Sequence, residues 1–354
     1  MWPTSPRNIA LLVGWTSLVF LTGAGLFSRQ SCAQPDLPAV HEKAPANKMQ
    51  KAPASNFQAV SVVRPDPSFC LSMQGPSTLE ELSARAESLA WGYPDNLKRY
   101  IRFLGLTLTG TLTPHANNDH QNPAAPLSPM RRWCGEDWPI NGYTMAGLER
   151  LKNVAQLILD VISNKVPGGF AELGVWRGGT CLFAKLLLDA MGEDRAVHVF
   201  DAFAKISSYG EASQDILSVK EEDIHTWFRA YGAHAHNVYI YKGFFLDTLP
   251  AFRNNPNNAG TKIAILRVDA NHHDSYQDAL YDMYSFVPVG GYVIFDDVET
   301  HPNAMLAWKE FKEDQGLTET LQRIDRHSAF FKKTREISID YSKKRPAIDV
   351  NVKP

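Results

Sequence analysis

Three aspartates are the first candidates for chemistry in this chain: Asp269, Asp296 and Asp297. They fall at the predicted ends of two neighbouring strands, and three carboxylates brought together there would repel one another without a cation. Mg²⁺ suits such a site, because that ion is commonly held by a few carboxylates and keeps positions open for water and substrate oxygens. The sequence therefore predicts a magnesium site, with solvated turn aspartates as the alternative for Asp296 and Asp297.

A glycine-rich turn precedes these aspartates along the chain. Gly174, Gly178 and Gly179 let the backbone turn tightly and approach a ligand, and the helix after them points its positive end at the site. Such a turn could serve a dinucleotide, a phosphate or S-adenosylmethionine, but the G-x-G-x-x-G spacing of the dinucleotide fingerprint is absent. Asp201 ends the next predicted strand, where a carboxylate can accept hydrogen bonds from both ribose hydroxyls. The alternative is that Asp201 caps a helix or stabilises a turn.

Two histidines follow Asp269 closely. His272 and His273 are candidates for substrate contact or proton acceptance, and exposed loop histidines are an equally good interpretation. His198 lies in the middle of a predicted strand, which favours a packed core residue over a ligand.

The elements that must position these residues alternate between short apolar strands and helices after Trp138. This pattern is typical of a mainly parallel sheet covered on both faces. The predicted strands are Gly169–Val175, Ala196–Phe203, Val238–Gly243, Lys262–Asp269, Tyr292–Asp297, Leu321–Ile324 and Ala329–Lys333. The predicted helices are Met145–Ser163, Thr180–Met191, Ile216–Tyr231, Ser275–Val287 and Ala304–Gln315. The fold class is therefore α/β: a doubly wound, Rossmann-like, seven-stranded sheet with an antiparallel last strand, whose ligands bind at the carboxyl ends of the strands.

Length and composition bound the function. With 354 residues, of which 44% are hydrophobic and 21% charged, the chain can bury one sizeable core and carry appendages. Its formal net charge of −2 lacks the excess of Lys and Arg that is typical of nucleic-acid-binding proteins, which favours a small-molecule or glycan substrate. The predicted organisation is an apolar segment (1–33), a stem (34–66), an N-terminal helical extension or lid (67–135), a catalytic domain (136–340) and a tail (341–354).

The apolar segment predicts a membrane anchor. From Ile9 to Phe27 nineteen residues carry no formal charge, which is just long enough to span a bilayer. This favours a signal-anchored, single-pass transmembrane protein of the secretory pathway, in the Golgi or ER. Cleavage after Ala33, which would give a secreted protein, and an organelle presequence are the alternatives. The Pro-, Ala- and Lys-rich residues 34–66 predict an extended, solvated stem.

The four cysteines lack the paired spacings of a zinc site and are too sparse for a disulfide scaffold. Cys181 falls in a predicted buried helix and is interpreted as a core residue. Cys70 and Cys134 could pair in an oxidising compartment, although nothing in the sequence requires it.

Several short blocks occur in an order that resembles the macrocin O-methyltransferase family, the TylF and MycF type of sugar O-methyltransferase. The resemblance covers roughly Tyr93 to Lys333. Its blocks are Asn96-Leu97-Lys98-Arg99, Asp137-Trp138-Pro139, Tyr143-Thr144-Met145, Glu172 to Gly179, Asp201-Ala202-Phe203, Gly243-Phe244-Phe245, Asp247-Thr248-Leu249-Pro250, Arg267-Val268-Asp269, Gly290-Gly291-Tyr292 and Asp296-Asp297.

The resemblance implies the class I methyltransferase fold, S-adenosylmethionine as methyl donor, Mg²⁺ and a sugar hydroxyl as acceptor. When the family's cofactor-binding positions are transferred to this sequence, the resemblance implies that Thr144, Met145, Glu172, Gly174 and Trp176 surround the methionine part of the cofactor. It also implies Gly178 in the same turn and Asp201 at the ribose. Asp269, Asp296 and Asp297 match the metal-binding aspartates. The family's D-G-D-x-Y-E-S motif begins here at Asp269, and it carries Asn271 in place of a carboxylate and His273 in place of the tyrosine.

The predicted function is thus S-adenosylmethionine-dependent and magnesium-dependent O-methylation of a sugar or glycan hydroxyl. Asp269 is the first choice of catalytic base and His273 the second. The alternative is a catalytically inactive cofactor-binding protein that has lost turnover through the Asn271 region. An NAD-dependent oxidoreductase is disfavoured by the glycine spacing. The sequence leaves open the acceptor, the hydroxyl that is methylated and whether the chain forms a homo-oligomer.

Overall fold

The computed structural model describes residues 75–113, 119–120, 126–206, 211–233 and 236–345. Its helical extension comprises α1 (Leu79–Arg85), α2 (Asp95–Leu108) and α3 (Pro129–Cys134). The helix ends follow from side-chain chemistry. The Thr78 hydroxyl accepts from the Glu81 backbone N–H at the start of α1, and Pro129 occupies the first turn of α3, which ends at Gly135 with φ +66°.

Seven strands form one sheet, which confirms the predicted fold class. They are β1 (Gly169–Leu173), β2 (Val197–Asp201), β3 (Val238–Lys242), β4 (Ile263–Val268), β5 (Tyr292–Phe295), β6 (Gln322–Arg323) and β7 (Ala329–Lys332). Their order is β3-β2-β1-β4-β5-β7-β6. The first five are parallel, and β7 runs antiparallel to both β5 and β6. The strand order reverses between β1 and β4, which places the ligand crevice at their carboxyl ends.

Seven helices accompany the strands in the described part of the chain: α4 (Gly147–Ser163), α5 (Gly179–Ala190), α6 (Glu211–Leu217), α7 (Glu221–Ala230), α8 (Phe245–Asn254), α9 (His273–Met283) and α10 (Pro302–Asp314). Two features differ from the sequence-based expectation. The predicted helix Ile216–Tyr231 is two helices, because the acidic residues Glu221, Glu222 and Asp223 begin a new first turn where they complement the helix dipole. Helix α8 was not predicted, since Pro250 inside it lacks a backbone donor and signals a loop.

The sheet separates two hydrophobic cores. Successive residues of one strand belong to different cores: Phe170 packs in the core that contains α4 and α5, whereas Ala171 packs in the core that contains α9 and α10. Ile265 and Leu266 of β4 divide in the same way. Because neighbouring side chains of a strand point to opposite faces, helices cover both faces of the sheet.

The membrane prediction is contradicted. No helix among the described residues is long and apolar enough to cross a membrane. The longest apolar one, α4, has 17 residues and carries Glu149, Arg150, Lys152 and Asp160, and such charges are costly at the bilayer centre. The assignment to a single-pass membrane protein of the secretory pathway, with a membrane as partner, is corrected on this finding. Residues 9–27, on which it depended, lie outside the described residues, as do the stem and residues 346–354.

The two described cysteines have different states. Cys181 is free and fully buried, as predicted. Cys134 is disulfide-bonded, and its partner lies outside the described residues.

Candidate active site

A cleft lies at the carboxyl ends of β1, β2, β3 and β4, where the strand order reverses. It encloses about 860 Å³ of space between the atoms, a volume that includes open solvent. Five residues that the sequence predicted for the site line it: Met145, Gly174, Trp176, Asp201 and Asp269. Asn271 and His272 also line it, as do Phe244 and Phe245 from the start of α8.

The glycine turn after β1 is shaped by contacts that exclude side chains. Gly174 has φ +85°, and a Cβ atom there would lie 2.1 Å from the Asp269 carbonyl oxygen. Only glycine therefore lets the end of β1 pack against the end of β4. Gly178 has φ +70° and is the N-cap of α5, but it is not among the cleft-lining residues.

Asp201, at the end of β2, holds this turn with its carboxylate. One oxygen accepts hydrogen bonds from the backbone N–H groups of Val175 at 2.8 Å and Trp176 at 3.3 Å, and the other accepts from Phe203 at 2.9 Å. Burial raises the pKa of Asp201, and these backbone donors oppose the shift. The side chain is thus a turn aspartate that also lines the cleft, and its contact with a ribose stays a prediction.

Two other predicted cofactor residues lie beneath the cleft surface. The Thr144 hydroxyl is 2.9 Å from the Thr180 hydroxyl and accepts from the Ala146 N–H at 3.0 Å, which orders the backbone on both sides of Met145. Glu172 is almost fully buried in β1, where it pairs with Arg267 and accepts a hydrogen bond from the Cys181 thiol at 2.8 Å. Neither side chain is among the cleft-lining residues.

The three predicted metal-binding aspartates do meet. Asp269 follows β4, and Asp296 and Asp297 follow the adjacent parallel strand β5, so that one ligand oxygen of each lies within 4.8 Å of the others. Asp269 faces the cleft with a partly exposed side chain, whereas Asp296 is buried. The arrangement forms a compact carboxylate cluster at the edge of the cleft.

Two buried arginines at this cluster were missed by the sequence analysis. Arg267 of β4 pairs with Glu172, with Asp296 and, at 3.0 Å, with Asp269. Arg150 of α4 pairs with Asp296 at 2.6 Å and with Asp325 at 2.7 Å. A signal did exist for Arg267, because it interrupts the apolar run Ile263–Val268 that the fold must bury.

The cluster contains more carboxylates than guanidinium groups. The carboxylates of Glu172, Asp269, Asp296, Asp297 and Asp325 face the two guanidinium groups of Arg150 and Arg267 among the described residues, which leaves an excess of negative charge. All the donors at the proposed site are hard oxygens, as Mg²⁺ requires. The residues present therefore fit the ion.

The pKa values of the three aspartates diverge for identifiable reasons. Burial and the neighbouring Asp296 raise the pKa of Asp269 well above its usual range, although Arg267 opposes the shift. Burial alone would raise the pKa of Asp296, but Arg150 and Arg267 outweigh it and hold the value low. Burial and Asp296 raise the pKa of Asp297. Of the three aspartates, Asp269 is the one that lines the cleft, and it is therefore the one that an acceptor hydroxyl group could reach.

His273, the second predicted base, does not reach the cleft. It is buried beneath the first turn of α9, where its Nε2 lies 2.6 Å from a Glu310 carboxylate oxygen of α10. His272, the residue before the helix, lines the cleft instead. The reason is local: the chain turns into α9 between the two residues, so that their side chains diverge. His198 is a packed core residue, as predicted, and its ring stacks on Tyr239 with centroids 5.3 Å apart.

Comparisons with known proteins agree on the type of molecule. The sequence model of the family described as macrocin-O-methyltransferase (TylF) matches residues 104–333. Demethyldecarbamoylnovobiocin O-methyltransferase of Streptomyces niveus is 37% identical over 214 residues, which are 57% of this chain and 79% of that protein. The 8-demethyl-8-(2,3-dimethoxy-alpha-L-rhamnosyl)-tetracenomycin-C 4'-O-methyltransferase of Streptomyces olivaceus is 30% identical over 218 residues, 57% of this chain and 80% of that protein. The solved structure of the O-methyltransferase NovP is 34% identical, with a TM-score of 0.61 over 67% of this chain and 99% of NovP.

Proposed function

We propose that this chain, which belongs to the macrocin O-methyltransferase (TylF) family and is an S-adenosylmethionine-dependent O-methyltransferase, methylates a hydroxyl group of a sugar with the help of Mg²⁺. Its fold is that of the class I methyltransferases, as the similarity to NovP shows. Family membership speaks against the inactive cofactor-binding protein that Asn271 suggested. One observation carries the proposal: the carboxylate cluster of Asp269, Asp296 and Asp297 lies at the edge of the cleft formed by the glycine turn.

The methyl donor would occupy the part of the cleft next to the glycine turn. Met145, Gly174 and Trp176 would contact its methionine part, and Asp201 would accept hydrogen bonds from the ribose hydroxyls. Thr144, Glu172 and Gly178 would act indirectly, since they lie beneath or beside the surface that the ligand reaches. S-adenosylmethionine supplies an electrophilic methyl group on its sulfonium.

Mg²⁺ would be held by Asp269, Asp296 and Asp297. Such an ion lowers the pKa of a hydroxyl group bound to it. Arg150 and Arg267 keep Asp296 ionised and oriented, and Arg267 also pairs with Asp269 at 3.0 Å, so that Asp297 adds charge to which neither arginine is paired directly. This division of roles explains why one aspartate of the cluster is buried between arginines while Asp269 reaches the cleft.

Asp269 is the proposed proton acceptor. It lines the cleft, where it can meet a hydroxyl group of the acceptor. Burial and Asp296 raise the pKa of its carboxyl group, which makes the ionised form a stronger base. His272, rather than His273, is the histidine that can contact the acceptor. Alignment of the two reactants in the cleft can contribute roughly 7–11 kcal/mol to lowering the barrier.

The sugar acceptor is supported by the S. olivaceus relative, whose name specifies methylation at a position of a rhamnosyl-bearing compound. A test uses S-adenosylmethionine labelled in its methyl group and pairs of acceptors, each a glycoside with its matching aglycone. We expect label on the glycoside of at least one pair and on none of the aglycones, with activity that depends on added Mg²⁺. Transfer to the aglycone alone would contradict the sugar assignment.

A further inference from the structure

Helix α6 forms one wall of the cleft, and its described contacts include an exposed ion pair between Asp215 and Lys205 at 2.6 Å. Gln214 and Leu217 of α6, with Ser218 after it, line the cleft. Among the side chains described on this helix, those of residues 213–217, none is buried. A helix of seven residues is marginal on its own and depends on tertiary contacts. The position of this wall must therefore depend on a small number of contacts.

One such contact comes from the glycine turn. The indole Nε1–H of Trp176 donates a hydrogen bond to the Ile216 carbonyl oxygen at 2.9 Å. That carbonyl is in the last turn of α6, where it has no partner within the helix. Trp176 itself is 9% exposed and also lines the cleft. A single side chain thus touches the ligand space and holds one of its walls.

The backbone of Trp176 has an unusual conformation. Its φ of +50° lies in the left-handed region, which is costly for a bulky residue and persists only where the surroundings enforce it. Two neighbours do so here. Asp201 accepts the Trp176 backbone N–H at 3.3 Å, and the Arg177 guanidinium lies 4.3 Å from the indole ring centroid.

Arg177 holds a different part of the chain, the segment before Met145. Its Nη1 donates to the carbonyl oxygens of Ile140 at 2.9 Å and Gly142 at 2.7 Å, in the segment that leads to Met145. Consecutive side chains of one turn therefore hold two different walls of the cleft. This separation allows the role of Trp176 to be tested without disturbing the other wall.

We propose that Trp176 is a positioning residue that latches α6 over the cofactor. The indole N–H holds the Ile216 carbonyl while the methyl donor is bound, and breaking this bond lets α6 move so that the donor enters and the demethylated product leaves. This hydrogen bond controls exchange of the cofactor and makes no contact with the acceptor. This role of Trp176 is independent of which acceptor or metal the enzyme uses, because it depends only on S-adenosylmethionine as the methyl donor.

The sharpest variant replaces Trp176 by 3-benzothienylalanine, which has sulfur in place of the N–H and keeps the shape of the ring. Trp176→Phe is the genetically encoded counterpart. Loss of one hydrogen bond predicts that S-adenosylhomocysteine dissociates about two- to tenfold faster in stopped-flow measurements. Amide hydrogen exchange should accelerate in residues 213–218 and stay unchanged in β1. The KM for the acceptor should not change.

The matched control is Trp308→Phe, which removes an indole from α10 in the core on the other face of the sheet. It should leave both the dissociation rate and exchange in residues 213–218 unchanged. The proposal is overturned if the benzothienyl variant releases S-adenosylhomocysteine at the wild-type rate. It is equally overturned if exchange accelerates throughout the domain, since that result would make Trp176 a general structural residue.

Discussion

Arg150 of α4 and Asp296 at the end of β5 form an ion pair of 2.6 Å, although 146 positions separate them in the chain. The pair joins the helix layer to the strand end that carries the carboxylate cluster. Both side chains are nearly excluded from solvent. The stability of the sheet edge and the charge of the active site are therefore linked through one buried contact.

Arg150→Met should destabilise the protein strongly. The substitution leaves Asp296 and Asp325 buried without this partner, and breaking a buried ion pair from one side costs about 3–5 kcal/mol. Urea unfolding measures the loss. Lys98→Met is the matched control, because its pair with Asp95 is exposed and should contribute little. Equal stability of the two variants would contradict the importance of the buried pair.

His198 should make stability depend on pH. Burial lowers the pKa of His198 from 6.5 to about 4 in the folded protein. The unfolded chain therefore binds more protons between these values, so stability is full above pH 6.5, falls as the pH drops towards about 4, and then levels off. The total effect is about 3 kcal/mol, since each pKa unit corresponds to about 1.4 kcal/mol.

The measurement compares the free energy of unfolding of wild type and His198→Phe from pH 7 to pH 4. The wild type should lose about 3 kcal/mol more than the variant over this range, because phenylalanine cannot be protonated. Parallel profiles of wild type and His198→Phe would show that His198 is not responsible for the acid sensitivity.

The parallel strands could be predicted because each is a short apolar run that ends at a glycine or an aspartate. The same runs gave the position of the cleft, since strand ends collect at one edge of a parallel sheet. Helix α8 and the break between α6 and α7 were missed because Pro250 and the acidic start of α7 act locally and against the apolar periodicity. In α8 and at the start of α7, individual residues therefore determined the helix bounds more than the apolar periodicity did.

The site was predicted less completely than the fold. The aspartates of the cluster were found because strand ends converge, but the sequence does not show that Arg150 of α4 and Arg267 of β4 both pair with Asp296. The direction of a side chain at a helix start is equally invisible, which is why His273 was preferred to His272 as the second base. Asp201 was predicted for the cleft, but its hydrogen bonds to the turn after β1 appear only in three dimensions.

Asp201→Ala should weaken cofactor binding and loosen the glycine turn together. The substitution removes the acceptor for the backbone N–H groups of Val175, Trp176 and Phe203 as well as the proposed ribose contact. At about 0.5–1.5 kcal/mol for each bond, S-adenosylhomocysteine affinity should fall roughly tenfold or more by calorimetry. Asp201→Asn keeps one acceptor oxygen and should lose less. Unchanged affinity of the alanine variant would contradict both roles.

Asp297→Asn is the cleanest test of the metal site. Asp296→Asn would also disturb Arg150 and Arg267, and Asp269→Asn would remove the proposed base. Asp297 is less entangled, because its ion pair in the described part of the chain is a distant one with His301 at 3.8 Å. An amide keeps the shape of the side chain and removes one negative charge, which a hard dication tolerates poorly. Methyl transfer should fall on the order of 100-fold, because a metal ion stabilises the reacting oxygen by several kcal/mol. Affinity for S-adenosylhomocysteine should change little, since Asp297 does not line the cleft.

Titration with Mg²⁺ alone separates the metal role from catalysis. The wild type should bind the ion by calorimetry, Asp297→Asn should bind it much more weakly, and Asp95→Asn, at a fully exposed position, should bind it like the wild type. Chelation of the wild type should reproduce the Asp297→Asn activity, and added Mg²⁺ should restore only the wild type. If methyl transfer survives complete chelation, the three aspartates do not form a metal site. Asp269 could then still act as a general base, because its raised pKa comes from burial and from Asp296.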